Sequence, residues 1–318
     1  MMSRKTKILI WFLCLSPFYG FIIMMYFVKI NTISENLPSQ ETRKPGMIYF
    51  SDIENPQNNL STIIYSSDGK ILGEYYKENR SNTTYSELSP ILIDALISTE
   101  DIRFREHSGI DVRSLFRAVY GILIGSSSSG GASTLSQQLS KMLFTGRPSS
   151  GFERVKQKLK EWVVAVELEK RYSKNEILSM YLNRFDWINQ AVGITSASKI
   201  YFNTTPEKLQ INESAMLVGM LKNPSLYNPR RNPIGTQNRR NVVLSQMMKN
   251  KKITILEYDS LKVLPLNLDY QKVDHNEGLA PYFREQLRIM MKEWCLKNKK
   301  TSGEYYDLYT DGLIIHTT

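Results

Sequence analysis

Residues 97–111 read ISTEDIRFREHSGID. Within eight positions this stretch holds Glu100, Asp101, Arg103, Arg105, Glu106 and His107, with Phe104 in their midst. The stretch sets two adjacent carboxylates, a large aromatic and an imidazole side by side. A carboxylate moves protons well when it sits within hydrogen-bond reach of the group it serves. The pattern around the stretch is helical from about residue 88. Pro90 stands at a first helical position ahead of the run ILIDALIST.

Upstream, STIIYSSDGKILGEYY at 61–76 places two β-rich runs around Asp68-Gly69, the signature of a hairpin. Downstream, DVRSLFRAVYGILI at 111–124 predicts a helix, and GSSSSGGAS at 125–133 a mobile tract, either a plain linker or a lid. Thr134-Leu-Ser-Gln137 fits a capping box, so a helix starts near Thr134. Helices are then expected over 153–170, from Lys174 behind a Ser173 cap, from Pro206 to about Leu221, and over 235–250. NPSLYNPRRNP at 223–233 breaks the last two apart, and the remainder is less periodic, closing on the strand-like DGLIIHTT. No repeat of 20–50 residues is present.

The chain has 318 residues, 42% of them hydrophobic and 23% charged, which is a globular balance. Its formal charge of +10 calls for an anionic partner: nucleic acid, an anionic membrane surface or a phosphate-bearing substrate. Residues 8–28, ILIWFLCLSPFYGFIIMMYFV, carry no charge. At ~1.5 Å per residue such a run matches a bilayer core of ~30 Å. Arg4, Lys5 and Lys7 precede it with no acid among them, so the expectation is an uncleaved anchor with its N-terminus in the cytoplasm. The run is too long for an ordinary signal core. Everything after Lys29 then lies outside the cytoplasm, and nucleic acid drops out as the expected partner. Residues 31–46, with Pro38 and Pro45, read as a spacer. The two cysteines, Cys14 and Cys295, form no disulfide framework, and His107, His275 and His316 form no ligand-spaced cluster with them.

On the long helix, Val155, Leu159, Trp162 and Val166 fall at core spacing. Arg154, Lys158, Glu161 and Ala165 share another face, with Glu161 one turn from Lys158. That face alone reads as solvated. The window from Leu139 to Lys174, however, contains Lys141, Arg147, Arg154, Lys156, Lys158, Lys160, Lys170, Arg171 and Lys174 against four acids. A basic field of this kind suits a diphosphate. Glu100 and Glu161 make a candidate carboxylate pair for glycosyl chemistry, although composition alone does not justify pairing them.

EDIRFREHSGID resembles the first signature of glycosyltransferase family 51, the peptidoglycan glycosyltransferases of class A penicillin-binding proteins and their monofunctional relatives. Glu100, Asp101, Phe104, His107 and Gly109 stand at its positions. GGASTLSQQLSKMLF is similar to the second motif, with Ser133, Thr134, Gln137, Gln138 and Lys141 in place. KLKE at 158–161 resembles the third, KNEILSMYLN at 174–183 the fourth and RRNVVLSQM at 239–247 the fifth. The departures are Ala132 for a glycine, Gln157 for an arginine, and a glycine-poor loop, NRFDWINQAVG, after the fourth motif. Asp186, Trp187, Ile188 and Gln190 occupy that loop's aromatic and glycine positions.

The resemblance implies a mainly α, lysozyme-like domain with a small N-terminal β-hairpin, a membrane-dipping jaw and one N-terminal transmembrane helix. It divides the chain into a cytoplasmic tail, 1–7; the anchor, 8–28; a spacer, 29–59; the glycosyltransferase domain, 60–250; and an extension, 251–318, resembling the linker into a transpeptidase domain. It implies polymerisation of lipid II, with inversion at the donor's anomeric carbon and release of undecaprenyl diphosphate, on the outer face of a bacterial cytoplasmic membrane. Glu100 is then the general base. Lys141, Arg147 and Lys158 stabilise the departing diphosphate, and Glu161 holds those cations or a divalent ion, Mg or Mn. The sequence requires no other cofactor. Ser133, Thr134, Gln137 and Gln138 lie where a helix N-terminus could take a phosphate. Asp101 and His107 orient their segment, Phe104 is core or sugar platform, and Arg117 and Arg240 support the site. Lipid II, the nascent glycan, the membrane and other cell-wall proteins are the partners implied. A lysozyme-like hydrolase and a non-catalytic cell-wall scaffold are the competing readings, the second supported only by the altered loop at 184–192. SASK at 196–199 matches a transpeptidase serine-lysine pattern without its companion motifs and reads as coincidence.

Overall fold

A computed structural model describes residues 23–30, 33–34, 48–49, 62–75, 83–123, 133–144, 150–271, 279–300, 303–309 and 311–317. Residues 23–30 are helical, and β1 (Ile33–Ser34) pairs in parallel with β2 (Ile48–Tyr49). Among the described residues no helix is long and apolar enough to cross a membrane. The expected anchor lies outside them except for its last residues, as do the Gly/Ser tract up to residue 132, Arg147 and His275.

The chain forms two compact units: residues 1–54 with 100–181, and residues 55–99 with 182–318. The protein is mainly helical, with one three-stranded sheet. In the second unit the expected hairpin forms between β3 (Thr62–Tyr65) and β4 (Ile71–Tyr75). β5 (Ile314–His316) adds to β3 in parallel, Ile63 opposite Ile314. Residues on both sides of position 250 therefore share a sheet and a small core of Ile64, Tyr75, Cys295 and Leu308. Cys295 is buried there as a free thiol.

Helix α1 (Pro90–Glu100) opens on its proline and ends on the first carboxylate of the opening stretch. It is followed by α2 (Val112–Leu123), α3 (Leu135–Phe144), α4 (Gly151–Arg171) and α5 (Lys174–Arg184). Ser150 caps α4 by accepting from the Glu153 N–H at 3.2 Å. Ser173 and Glu176 cap α5 reciprocally, so local chemistry sets both starts. The box expected at Thr134 closes on one side only. Thr134 Oγ1 accepts from the Gln137 N–H at 3.2 Å, but the Gln137 side chain donates to Gly109 O instead of reaching back.

The second unit continues with α6 (Ile194–Phe202), α7 (Ile211–Met220), α8 (Pro233–Lys249), α9 (Ile255–Lys262) and α10 (Pro281–Lys297). Two expectations change. Pro206–Lys208 is a single 3-10 turn, and the helix proper begins at Ile211 behind the Gln210–Glu213 box. The less periodic tail holds two further helices, α9 and α10, the second packed beneath the sheet. SASK falls within α6 with Ser196 and Ser198 buried, in agreement with its reading as coincidence.

The inward face of α4 also differs from the expected one. Val155 is 61% exposed, and Leu159, Trp162 and Val166 are only half-buried. The buried positions are Glu161, Val163, Val164, Ala165, Glu167 and Leu168. Close backbone approach decides this. A Cβ on Gly109, whose φ is +93°, would come within 2.8 Å of the Ala165 carbonyl group. Only glycine allows the 101–111 turn to lie this close to the α4 backbone. Hydrophobic periodicity does not report that approach.

Candidate active site

The opening stretch leaves α1 in a tight turn, with the Phe104 N–H donating to Asp101 O at 2.9 Å. Phe104 is 0% exposed, its ring 6.0 Å edge-on from His107 and its face 4.3 Å from Lys174 Nζ. It is therefore a core residue and not a sugar platform, because no ligand can reach it.

Asp101 is buried. Its Oδ2 accepts from the Leu135 N–H at 3.0 Å and lies 2.9 Å from His107 Nε2. His107 Nδ1 accepts from the Gly109 N–H at 3.2 Å, so the ring carries its hydrogen at Nε2 and donates it to Asp101. The pair orients the segment. At the N-terminus of α3, where a phosphate is the expectation, Asp101 itself takes the Leu135 N–H. The Gln137 N–H is likewise occupied, by Thr134 Oγ1. Thr134 and Gln137 are buried, and both side chains donate to Gly109 O, at 2.7 and 3.3 Å. These two residues of the second motif tie the first motif in place.

Gln138 behaves differently. Half-buried, it donates from Nε2 to Glu100 Oε2 at 3.0 Å and accepts at Oε1 from the Tyr181 hydroxyl at 3.0 Å. Glu100 is likewise only half-buried at the end of α1. Five residues before Gln138, Ser133 Oγ accepts from Lys158 Nζ at 3.0 Å. The same ammonium pairs with Glu161 Oε2 at 2.7 Å. The stretch 133–138 thus carries links to both candidate carboxylates, each in a distinct environment. Glu161 is 2% exposed and ion-paired with Lys158, and Glu100 is half-buried. Lys141 is exposed one turn beyond Gln138. Lys158 and Lys141 are both accessible to solvent, Lys158 in part.

Arg117 is exposed on α2 and donates to Ser114 Oγ at 3.1 Å. Ser114 and Arg103 gather around Asp111, the cap of α2, with Arg103 Nη2 at 2.7 Å from its carboxylate. Burial pushes the Asp111 carboxyl up, but the Ser114 N–H and hydroxyl and the Arg103 guanidinium outweigh it and hold the group at about 2. Arg240 lies in the second unit, fully buried. It donates to Leu264 O at 2.7 Å, Pro265 O at 2.9 Å and Lys262 O at 3.2 Å, and it clamps the end of α9. Its visible task is architectural.

A divalent ion at Glu161 finds no cage. The carboxylate is already paired with Lys158, and among the described residues no three acidic, histidine or cysteine side chains gather to hold a metal.

Three residues escaped the sequence reading of the site. Lys174 Nζ donates to His107 O at 2.5 Å and to Glu169 at 2.7 Å, and Glu169 accepts from the Ser136 hydroxyl at 2.5 Å. Lys174 counts in the sequence only as one more charge in a basic field. Tyr181, in the quoted YLN of α5, gave no sign of its bond to Gln138.

The altered loop after α5 keeps left-handed backbone without glycine. Ile188, Asn189 and Gln190 have φ of 55°, 53° and 67°. Trp187 anchors it, fully buried and donating from Nε1 to Leu217 O at 3.0 Å. The Tyr201 hydroxyl holds Trp187 O at 2.7 Å.

The transglycosylase family model matches residues 68–248. Penicillin-binding protein 1A of Neisseria lactamica is 34% identical over 278 residues, covering 86% of this chain and 33% of that protein. The Escherichia coli (strain K12) penicillin-binding protein 1A is 35% identical over 255 residues, 80% of this chain and 28% of that one. Its Pseudomonas aeruginosa counterpart aligns over 316 residues at 32% identity, 99% of this chain and 35% of that one. A crystal structure of penicillin-binding protein 1A from Haemophilus influenzae covers 81% of this chain and 26% of that one, at 23% identity and a TM-score of 0.44. The chain spans about a third of the length of the curated relatives it matches.

Proposed function

This chain belongs to the transglycosylase family, and on that premise we propose that it is a peptidoglycan glycosyltransferase, polymerising lipid II with a lysozyme-like helical unit. One observation carries the reading. Glu100, half-open at the end of α1, is held by Gln138 on the same short stretch that Ser133 ties to the Lys158–Glu161 pair.

The chemistry follows from that arrangement. The 4-hydroxyl of the acceptor's N-acetylglucosamine attacks the anomeric carbon of the donor glycan, and Glu100 takes the hydroxyl proton. The bond from that carbon to the diphosphate oxygen breaks, and its electron pair leaves with undecaprenyl diphosphate. Attack opposite the leaving group turns the α link into a β link. Lys141 and Lys158 stabilise the charge that develops on the leaving oxygens, joined by Arg147, which lies outside the described residues. Glu161 keeps the Lys158 ammonium in place.

The apolar run at 8–28 and the basic residues before it support anchoring in a bacterial cytoplasmic membrane, with the two units on its outer face. Helix α2 supports it as well. Val112, Phe116 and Tyr120 form an exposed stripe at spacing i, i+4, i+8, with Arg113 and Arg117 beside it, suited to the interface where a lipid-linked substrate lies. Lipid II, the nascent glycan and the membrane are the partners this account needs.

Labelled lipid II in detergent tests the proposal beside isolated peptidoglycan. Polymer from lipid II with no release of fragments from peptidoglycan is the expected result. Fragments without polymer would replace the transferase with a hydrolase.

A further inference from the structure

Tyr181, on α5, is fully buried, and its hydroxyl points at Gln138 Oε1 from 3.0 Å. Burial, reinforced by the charge of Glu100, pushes the phenol well above its ordinary pKa. The hydroxyl therefore keeps its one hydrogen at any working pH. The amide of Gln138 has one accepting end and one donating end. With its carbonyl accepting from Tyr181, its NH2 is directed at Glu100 Oε2, 3.0 Å away. Reversed, the amide would set its carbonyl oxygen against the carboxylate with no hydrogen between them. Such a chain of partly buried hydrogen bonds acts as a unit, because each bond fixes the polarity of the next.

We propose that Tyr181 is a positioning residue of this active site: its hydroxyl sets the orientation of the Gln138 amide and so holds Glu100 where it receives the acceptor's proton. The inference rests on the reading of Glu100 as the base. Tyr181 does not touch substrate and acts only through Gln138. A tyrosine serving the core alone would affect unfolding and leave turnover per folded molecule unchanged.

The test is lipid II polymerisation by the full chain in detergent, with kcat and KM measured for Tyr181→Phe, Gln138→Met, the double variant and Glu100→Gln, and thermal unfolding of each followed in parallel. Tyr181→Phe removes one oxygen. It is expected to lower kcat about three- to tenfold at unchanged KM, the size of one lost hydrogen bond in a low-dielectric site. Gln138→Met should show at least that loss, and adding Tyr181→Phe to it should change nothing more, because the link is already gone. A folded Tyr181→Phe with wild-type kcat overturns the inference. So does a loss that multiplies onto that of Gln138→Met. If Tyr181→Phe does not fold, Gln138→Met decides: a fall in kcat at constant KM supports the inference, and an unchanged kcat or a raised KM overturns it. Glu100→Gln separates the two levels. If it polymerises like the wild type, the reading of Glu100 fails. If it is inactive while Tyr181→Phe turns over normally, only the role of Tyr181 fails.

Discussion

Lys158 Nζ lies 2.7 Å from Glu161 Oε2, across one turn of the same helix, and binds Ser133 Oγ at 3.0 Å as well. The two partners sit in different surroundings, with 3% of the Glu161 side chain exposed against 43% of the Lys158 side chain. Removing the lysine leaves a carboxylate buried without its counter-charge. Where both partners are buried that loss costs about 3–5 kcal/mol, and with the lysine half in water about 1–3 kcal/mol is expected. Lys158→Met should therefore lower both Tm and kcat. Adding Glu161→Gln should restore most of the Tm and none of the kcat. Differential scanning calorimetry beside lipid II turnover checks both outcomes.

Gly109 and Gly69 both have positive φ, +93° and +79°, but only Gly109 lies against another helix. Nothing stands within 4 Å of a Cβ built on Gly69. Gly69→Ala should cost about 1–2 kcal/mol from backbone strain alone. Gly109→Ala adds overpacking against Ala165, about 1–3 kcal/mol more, and should displace the 101–111 turn that follows Glu100. Chemical denaturation of the two variants gives the difference, and loss of turnover in Gly109→Ala alone is expected.

Asp111 carries a pH signature. Its carboxyl is held at about 2 in the folded protein, against about 3.9 for an unfolded aspartate. A depressed carboxyl adds stability at pH values above its unfolded pKa, and that stability disappears as pH falls from about 4 to about 2. Asp111→Asn keeps a capping side chain but loses the charge. At neutral pH it should be less stable by about 1 kcal/mol. Acid titration of unfolding should show the gap to wild type closing within that window.

In the loop after α5, Gln190 is exposed at a φ of 67°. Glycine adopts that conformation freely, while other residues bear about 1–2 kcal/mol of strain, partly offset by glycine's larger unfolded-state entropy. Gln190→Gly should stabilise the protein by about 0.5–1 kcal/mol, read from the shift in the urea midpoint. A loop that Trp187 and Tyr201 hold so firmly should otherwise keep its shape.

Much of this architecture is written in local chemistry. Pro90, Ser150 and Ser173 start their helices as residue type dictates, and Asp68-Gly69 turns the hairpin. The order of motifs places the 100–109 stretch. What residue type does not say is which way a side chain faces. Thr134, Gln137 and Phe104 look like ligand contacts in a motif, yet they turn inward because Gly109 O and the core receive them. The inner face of α4 depends on how closely the Gly109 turn approaches Ala165, which hydrophobic spacing does not contain. Arg240 belongs to a motif but clamps carbonyls about 20 residues away in sequence. Such pairings exist only after folding.

The central claim is that Glu100 is the base of lipid II polymerisation. Its most direct test is polymer formation from labelled lipid II by folded wild type and by Glu100→Gln, a near-isosteric change that keeps a hydrogen-bonding partner for Gln138 but removes the proton acceptor. Polymer from the wild type and a loss of about a hundredfold or more in the variant is the predicted result, the usual size of a general-base contribution. Equal polymerisation by both would contradict the account.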